Sequence, residues 1–537
     1  MSVNFIKNFS GFRRESVAYG AGILLSSSLI LNLLGICYRI VLARLVGAEG
    51  LAIYQLTISL YSILSGIALA GATAAVSQGA AALAGMGRNR EIPSLLYRAI
   101  FTFFVLYTLL LTVILPLSPS IAELWLEDAS RAPLIALLFP YMLLTGVENI
   151  YKALFLGLGK PLVPGVSEVL EQLLRILLLP PVLKLTGAML PDAKAACLLV
   201  AMFLGEIFAS TFMIIGYLRN RRSILSVNST PVSHGKSTVP VGKMMLSIGL
   251  PITFTGLGIR IISSACSVLM PYCLVLSGLT QTEANQLYGT FTGMTMPLML
   301  MCTALTGPLF TAVMPRIAKA VAKGDMLVCR RKCGKVIHIT GLVGMPFMAM
   351  LLVCAEDLSL LMYGDSAAGS LCAMFVPCIT LSMYSNAAMF LLGAMSENAK
   401  SGGLAVLSGL LQMLNLWLGP VVLSGGLAGY ALLETFNDLL VAGLGIGLVC
   451  RRSGLRIMWR NWFVSPLLSS CAAGLCSYGL HRLMGTTGSP MWVTTLLCCG
   501  LLLAVYFLLL MCRGLRPKQY IRSMLDLPQA KKRAPVC

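Results

Sequence analysis

Residues 157–181 read GLGKPLVPGVSEVLEQLLRILLLPP and combine the length of a membrane span with three charged side chains. Glu168, Glu171 and Arg175 are spaced i, i+3 and i+7, so they share one face of a helix. A charge at the bilayer centre costs at least ~2.5–3.5 kcal/mol, so such a face normally meets protein or water. We interpret it as the lining of a polar cavity. The alternative is a structural pair, in which Glu171 and Arg175 neutralise each other inside a bundle.

The composition of the whole chain indicates a polytopic, all-α membrane protein. Of its 537 residues 57% are hydrophobic and 11% charged, and the mean hydropathy is +0.86, which excludes an ordinary soluble domain. Apolar runs of about 20 residues, the length needed to cross the hydrocarbon core, predict fourteen transmembrane helices. They lie near 19–42, 51–76, 98–117, 132–156, 162–183, 195–217, 246–273, 287–314, 335–354, 370–392, 402–424, 428–449, 464–484 and 490–512.

The distribution of basic residues predicts the orientation in the membrane. Most Lys and Arg residues lie in the termini and in the loops on the same side, whereas the opposite loops carry only Arg44, Arg131, Lys184, Lys194 and Arg482. Because basic loops stay in the cytoplasm, we expect both termini to be cytoplasmic in a multi-pass protein of the cell membrane. This asymmetry explains most of the net charge of +20, so we expect no nucleic-acid partner.

The first apolar run also bears on targeting. Basic residues precede it, as in a signal peptide, but the run is too long for a signal-peptide core and shows no convincing cleavage site. We therefore expect an uncleaved first span.

An internal duplication divides the chain. At a constant separation of 237 residues, Gly87 pairs with Gly324, Asp128 with Asp365 and Pro140 with Pro377. Both copies begin on the cytoplasmic side and hold six spans, so we predict parallel repeats around a site between two lobes, as in alternating-access carriers. The predicted regions are an N-lobe at 1–218, a linker at 219–243, a C-lobe at 244–450, two additional helices at 451–512 and a basic cytoplasmic tail at 513–537.

The two copies differ in their intramembrane charges. Opposite Glu148, Glu168, Glu171, Arg175 and Glu206 of the N-lobe lie Ser385, Ala405, Ser408, Gln412 and Gly443. Charged residues that serve only a structural role should occur in both copies. The imbalance therefore favours a functional site biased toward the N-lobe. We expect the C-lobe to be apolar inside.

Two intramembrane arginines complement these acids. Arg39 lies late in the first span and Arg260 midway through the seventh. The planar guanidinium stays charged and can bond two oxygens at once, which suits phosphate. One arginine from each lobe could therefore hold an anionic group. The alternative for Arg39 is that it extends to the interface, about a turn away.

Enzyme motifs are missing from the sequence. There is no Walker A sequence, no metal-ligand cluster, and the three histidines are too few for a histidine site. We therefore expect a non-enzyme without a resident cofactor or metal. Cys329 and Cys333 fall in a predicted cytoplasmic loop, where a persistent disulfide is not expected.

Four runs resemble a known family. They are YRIVLARLVGAEGLAIYQL at 38–56, FLGLGKPLVPGVSEVLEQLLR at 155–175, LYGTFTGMTMPL at 287–298 and AVMPRIAKAVAKGD at 312–325. They resemble the stage V sporulation protein B-like and polysaccharide-exporter branch of the multidrug/oligosaccharidyl-lipid/polysaccharide (MOP) superfamily. The resemblance covers essentially all fourteen predicted spans.

This resemblance implies a flippase that moves an undecaprenyl-pyrophosphate-linked glycan, a polysaccharide or peptidoglycan precursor, to the outer leaflet. It implies pyrophosphate contacts from Arg39, Arg44 and Arg260 by position, and Arg175 is a fourth candidate. The expected partners are the lipid-linked glycan, membrane lipid and wall-synthesis enzymes.

Two other functions remain open. In a cation-coupled multidrug antiporter of the same superfamily, Glu148, Glu168, Glu171 and Glu206 would bind Na⁺ or H⁺. A scaffold for wall synthesis, in contrast, would not need charges along a buried face. Because the two intramembrane arginines would repel a cationic drug, we expect the flippase.

Overall fold

The structure, a computed structural model, describes residues 17–225, 241–486 and 489–513. All regular elements in these ranges are helical. The α-helices are α1 (Val17–Gly85), α2 (Ile92–Ile114), α3 (Ser118–Leu126), α4 (Ala132–Gly157), α5 (Leu162–Thr186), α6 (Pro191–Leu225), α7 (Val241–Leu276), α8 (Gln281–Thr290), α9 (Met296–Ala322), α10 (Met326–Tyr363), α11 (Ala367–Ala394), α12 (Asn398–Trp417), α13 (Gly426–Ser453), α14 (Ser465–Thr486) and α15 (Met491–Cys512). Short π-helical segments, Phe291–Thr295, Leu418–Val422 and Arg460–Val464, directly precede α9, follow α12 and precede α14.

The longest helix contains a break. Gly47 has φ 80° and ψ 170°, a backbone conformation that glycine adopts without the steric cost of a Cβ. It divides α1 into a first arm, residues 17–46, and a second arm, residues 48–85. The first two predicted spans, 19–42 and 51–76, lie one in each arm.

Eleven helical stretches of the described residues are long and apolar enough to cross a membrane. The chain is therefore an all-helical, multi-pass membrane protein, while the count of fourteen spans remains a prediction. The helix α5 has the length of a span but is not among the eleven, because Glu168, Glu171, Arg175 and Lys184 make it too charged. A helix of this kind needs protein partners for its charged face.

The backbone supports the predicted internal repeat. Four left-handed residues that end helices or form turns recur 237 residues later with similar φ. The pairs are Gly87 (φ 71°) with Gly324 (72°), Glu127 (64°) with Gly364 (78°), Gly159 (67°) with Ser396 (64°), and Gly187 (59°) with Ser424 (50°). Caps recur as well: Asp128 Oδ1 accepts from the Ser130 amide and Asp365 Oδ1 from the Ala367 amide, both at 2.8 Å. These turns and caps agree with the register predicted from the second span to the fifth, while the layout of the repeat remains a prediction.

The chain forms two compact units, Met1–Gly293 and Met294–Cys537. In the first unit α7, which the sequence assigns to the C-lobe, packs along the second arm of α1. A Cβ on Gly71 would lie 2.8 Å from the Gly249 carbonyl oxygen, so small residues let these two helices approach closely. Ser264 Oγ fixes the pair further by donating to the Ser59 carbonyl at 2.8 Å.

The second unit has a core built around α10 and α11. Trp462 of the π-helical segment is 1% exposed and packs in this core with Val336, Tyr384 and Leu391. Cys329 and Cys333 also lie here, buried inside α10 with their sulfurs 3.9 Å apart, so placing them in a loop was wrong. The helix begins at Met326 because Asp325 caps it by accepting from the Val328 amide.

The predicted linker and tail fall partly outside the described residues. α6 continues through Arg222 to Leu225 and α7 begins at Val241, so both ends of the linker at 219–243 are helical. Residues 226–240 and the tail after Arg513 lie outside the description. The lobe boundaries remain a prediction.

Candidate functional site

Lys152 lies at the centre of a buried group of charges on α4, α5 and α6. Its Nζ lies 3.0 Å from Glu148 Oε1 and 3.3 Å from Glu171 Oε2. Ser167 Oγ donates to Glu148 Oε1 at 2.8 Å. The side chains of Glu148 and Lys152 are 1% and 11% exposed, so solvent screens these ion pairs little.

Arg175 continues the group toward α6. Its guanidinium pairs with Glu171, donates to the Tyr141 hydroxyl at 3.0 Å, and lies 3.4 Å from Glu206 Oε2. The Glu206 side chain is fully buried. Gly205 makes room for the arginine, since a Cβ there would lie 3.3 Å from Arg175 Cγ.

We call Glu148, Lys152, Glu171, Arg175 and Glu206 the first charge cluster. Helical spacing explains its assembly, because Glu148 and Lys152 are i, i+4 on α4 and Glu171 and Arg175 are i, i+4 on α5. The turn between these two helices is held close to α1, since a Cβ on Gly157 would lie 2.2 Å from the Ser77 carbonyl oxygen. One chain of ion pairs therefore joins three helices.

The first charge cluster contains three carboxylates and two cationic groups, and so one carboxylate in excess. Oxygens of its three carboxylates lie within 4.8 Å of one another. Two of its buried polar atoms, Glu206 Oε1 and Arg175 Nε, have no hydrogen-bond partner among the described residues. Because an unmatched buried carboxylate is costly, the arrangement suits uptake of one positive charge.

The structure therefore brings together four of the residues singled out from the sequence: Glu148, Glu171, Arg175 and Glu206. Glu168 lies at the edge, 43% exposed and with Oε1 4.0 Å from Lys152 Nζ. The pair Glu171–Arg175, considered above as a structural alternative, does form, but as part of a larger network. Whether these residues line a substrate cavity remains a prediction.

The other three arginines lie on α1 and α7. Arg260 is exposed, and its Nη1 donates to the carbonyl and the Oγ of Ser62, at 3.3 and 3.2 Å. Gly66 lies beneath its side chain, since a Cβ there would be 2.7 Å from Arg260 Cδ. On the first arm of α1, Arg39 is half-buried and Arg44 is exposed. Their role in binding pyrophosphate remains a prediction.

Sequence reasoning missed Lys152 and Tyr141, which hold the first charge cluster together. The signal was present for Lys152: it follows Glu148 by four residues inside an apolar run, as Arg175 follows Glu171. Tyr141 gave no comparable signal, because tyrosine is ordinary in an apolar helix and its contact with Arg175 depends on how α4 and α5 pack.

The second unit has a polar cluster of its own, which we call the second polar cluster. It consists of Cys378, Asn415, Glu434, Asn437 and Asp438, four of them buried and Cys378 partly so. Glu434 accepts from the Asn415 and Asn437 amides at 3.0 and 3.1 Å, and Asp438 Oδ2 accepts from Cys378 Sγ at 3.1 Å. The expectation of an apolar C-lobe interior was therefore wrong. The comparison had considered only positions opposite the N-lobe charges, whereas these acids stand at other positions.

A family model for "polysaccharide biosynthesis protein" matches residues 17–321. The chain belongs to this family. The matched region includes the first charge cluster and the arginines of α1 and α7. The resemblance expected from the four sequence runs is thereby confirmed.

Similar proteins agree with this assignment. Stage V sporulation protein B of Bacillus subtilis (strain 168) is 23% identical over 537 residues, covering 95% of this chain and 98% of the relative. Among solved structures, an inward-facing multidrug resistance MATE family transporter of the MOP superfamily aligns with a TM-score of 0.63 at 16% identity, covering 81% of this chain and 98% of that one. A MOP superfamily transporter from Pyrococcus furiosus aligns with a TM-score of 0.59 at 15% identity, over 81% and 96%. The fold is therefore that of MOP transporters.

Proposed function

We propose that this protein is an alternating-access flippase that moves an undecaprenyl-pyrophosphate-linked glycan from the inner to the outer leaflet of the cell membrane. The observation that carries the proposal is the match to the polysaccharide biosynthesis family over residues 17–321. The similarity to a sporulation protein along nearly the whole chain supports a polysaccharide or peptidoglycan precursor as the glycan. Both termini would be cytoplasmic, and wall-synthesis enzymes would be the partners on either side of the step.

Pyrophosphate binding is assigned to arginines. Arg260 is exposed on α7, and only its Nη1 donates to Ser62. Its other guanidinium nitrogens can therefore donate to phosphate oxygens. Arg39 and Arg44 on the first arm of α1 would complete the anion site. Arg175 would act indirectly, since the carboxylates of the first charge cluster already surround its guanidinium.

An apolar cleft in the first unit supports a lipid substrate. It has a volume of about 590 Å³ and runs between the second arm of α1, α2 and α7. Phe101, Phe254 and Leu257 line it, and Arg98 lies in its wall near Gly242. An apolar cleft with a single cationic side chain in its wall suits the prenyl chain of a lipid phosphate better than a water-soluble solute.

The first charge cluster is proposed as the coupling site. Its excess carboxylate would be neutralised by one Na⁺ or one H⁺, with Glu206 and its unpartnered Oε1 as the receiving group. Binding and release of that cation would change the ion pairs that join α4, α5 and α6. Transport would then depend on a sodium or proton gradient.

The competing function is a cation-coupled multidrug antiporter, which the fold of the MATE transporters favours. Substitutions of Arg260 distinguish the flippase from the antiporter. For a lipid pyrophosphate, Arg260→Ala should remove a charge-assisted contact of about 1.5–3 kcal/mol, roughly ten- to a hundredfold in affinity. Arg260→Lys should recover only part, because a point charge replaces a bidentate fork. Efflux of a cationic drug should be unharmed by either change.

The measurement uses liposomes with a fluorescent polyprenyl-pyrophosphate glycan and, in parallel, a cationic dye. Arg482→Ala is the matched control, since Arg482 is exposed and stacks on Tyr478 within α14. We expect lipid flipping by the parent and by Arg482→Ala, and a large loss in Arg260→Ala. Unchanged flipping in Arg260→Ala would remove Arg260 from the binding site. Strong dye efflux by a parent that flips no lipid would instead establish the antiporter.

A further inference from the structure

A cavity of about 530 Å³ lies in the second unit, where α14 begins and α15 ends. It is lined by His338 of α10, by Arg460, Asn461 and Val464 of the π-helical segment, by Ser465 and Leu468 of α14, and by Arg513. Both polar and apolar side chains line it. None of these residues belongs to the first charge cluster or to the arginines assigned to transport.

The wall of this cavity is cationic. It carries the guanidinium groups of Arg460 and Arg513, and no lining residue is an Asp or Glu. Arg513 Nη1 donates to the carbonyl of Ser465 at 3.0 Å and to its Oγ at 2.8 Å, which holds this guanidinium beside the first turn of α14. Paired cationic groups without a carboxylate favour an anion, and guanidinium forks match phosphate oxygens.

The wall is also held rigidly. The carbonyl of Trp462 accepts from the Tyr384 hydroxyl at 2.8 Å, and the Trp462 side chain is 1% exposed in the core. A Cβ on Gly341 would lie 2.4 Å from the same carbonyl oxygen, so α10 lies directly against this backbone. Arg460 and Asn461 thus project from a fixed segment, which reduces the entropy lost when a ligand binds.

The position indicates lipid as the source of the anion. The cavity lies at the ends of two apolar helices, where lipid headgroups surround a membrane protein. Trp459, next to Arg460, is 61% exposed, and exposed tryptophans are typical of the membrane interface. Val464 and Leu468 supply an apolar side for the start of an acyl chain. Basic pockets between membrane helices are suited to anionic headgroups.

We propose that this cavity binds the phosphate of an anionic lipid headgroup, with Arg460 and Arg513 as its ligands and Asn461 as a further hydrogen-bond donor. The bound lipid would connect α10, α14 and α15. This site shares no residue with the proposed transport site, and it stands whether the protein is a flippase or an antiporter.

The test measures lipid binding to the full-length protein in detergent by native mass spectrometry. The probes are phosphatidylglycerol, which is anionic, and phosphatidylcholine, which carries the same phosphate but no net charge. Arg460→Gln should weaken phosphatidylglycerol binding roughly five- to tenfold, and Arg460→Lys should lose less. The control is Arg451→Gln, because Arg451 is exposed at the end of α13 and does not line the cavity.

Each result either supports or overturns the proposal. Preference of the parent for phosphatidylglycerol, lost in Arg460→Gln and kept in Arg451→Gln, supports it. Equal binding of both lipids by the parent, or equal losses in the two Gln variants, contradicts it, because the attraction would then not be specific to this cavity. If inorganic phosphate at millimolar concentration displaces the lipid completely, the occupant is a free anion and the assignment to lipid fails.

Discussion

The first charge cluster lies on α4, α5 and α6, and the second polar cluster lies on α11, α12 and α13, the corresponding helices of the two predicted copies. The two clusters neutralise their acids differently. In the first, Lys152 and Arg175 are shared among three carboxylates. In the second, Glu434 accepts from the amides of Asn415 and Asn437 and Asp438 accepts from the thiol of Cys378, and all three donors are neutral. The turns of the two predicted copies share their backbone conformation, whereas the electrostatics of the two clusters differ.

This difference has consequences for stability. A carboxylate among cations depends on those cations, and removing one leaves an uncompensated charge in a medium of low dielectric. A carboxylate among neutral donors already relies on hydrogen bonds, so losing its charge changes less. The first charge cluster should therefore be sensitive to single substitutions, and the second polar cluster should tolerate the conversion of acid to amide.

The largest effect is expected for Lys152→Met. Methionine keeps the length of the side chain but removes the cation that Glu148 and Glu171 share. Breaking a buried ion pair in this way destabilises by about 3–5 kcal/mol, and we expect a strongly lowered unfolding temperature in detergent. The control is Lys184→Met, because Lys184 is exposed near the end of α5. The double variant Lys152→Met with Glu148→Gln should recover part of the loss, since it removes one of the stranded carboxylates.

Equal unfolding temperatures for Lys152→Met and Lys184→Met would contradict the expected difference between the two clusters. Such a result would mean that the three carboxylates do not depend on Lys152 for neutralisation.

A second pair of variants contrasts the two clusters directly. Glu171→Gln breaks the ion pairs with Lys152 and Arg175, so we expect a loss of about 2 kcal/mol. Glu434→Gln keeps both hydrogen bonds if the Asn415 amide rotates to accept, so the expected loss is below about 1 kcal/mol. Thermal unfolding of both proteins in the same detergent checks the order. A larger loss for Glu434→Gln would show that the second polar cluster depends on its negative charge.

Much of the fold could be predicted from the sequence because membrane helices are local. The apolar runs predicted helices, and the charged run at 157–181 predicted a helix with an interior face, as Glu171 and Arg175 show. The duplication was predicted from a few matched residues. Some of them, such as Gly87 and Gly324, are turn glycines that share one left-handed backbone conformation. The packing of α7 along α1 could not be read, because it depends on close contacts such as Gly71 with Gly249.

The candidate site was predictable only where spacing along one helix determines contact. Glu171 with Arg175 is such a case, and Glu148 with Lys152 is another that was overlooked. Contacts between helices, such as Arg175 with Tyr141, depend on how two helices are rotated about their axes. The second polar cluster was missed for a different reason. The comparison of the two copies assumed that functional side chains stand at matching positions, and Glu434 does not stand opposite any charged residue of the first charge cluster.

The smallest predicted effects concern the turns, where the two copies share a backbone but not a residue. Ser396 has φ 64°, while its counterpart Gly159 has φ 67°. A side chain in this left-handed conformation costs about 1 kcal/mol, which glycine avoids. Ser396→Gly should therefore raise the unfolding temperature slightly, and Gly159→Ser should lower it by a similar amount.

The same exchange is available at a second pair, Ser424 (φ 50°) and Gly187 (φ 59°), which serves as the replicate. Among the described residues, no neighbouring atom would lie within 4 Å of a Cβ on Gly159 or Gly187, so the expected loss comes from backbone strain rather than from a clash. Differential scanning fluorimetry of the four single variants gives the measurement. Opposite signs for the two directions would show that both copies keep the same turn conformation, with the cost set by the residue. If both serines prove neutral to replacement, hydrogen bonding by their side chains must offset the strain, and the turns of the two copies differ in energy as the clusters do in charge.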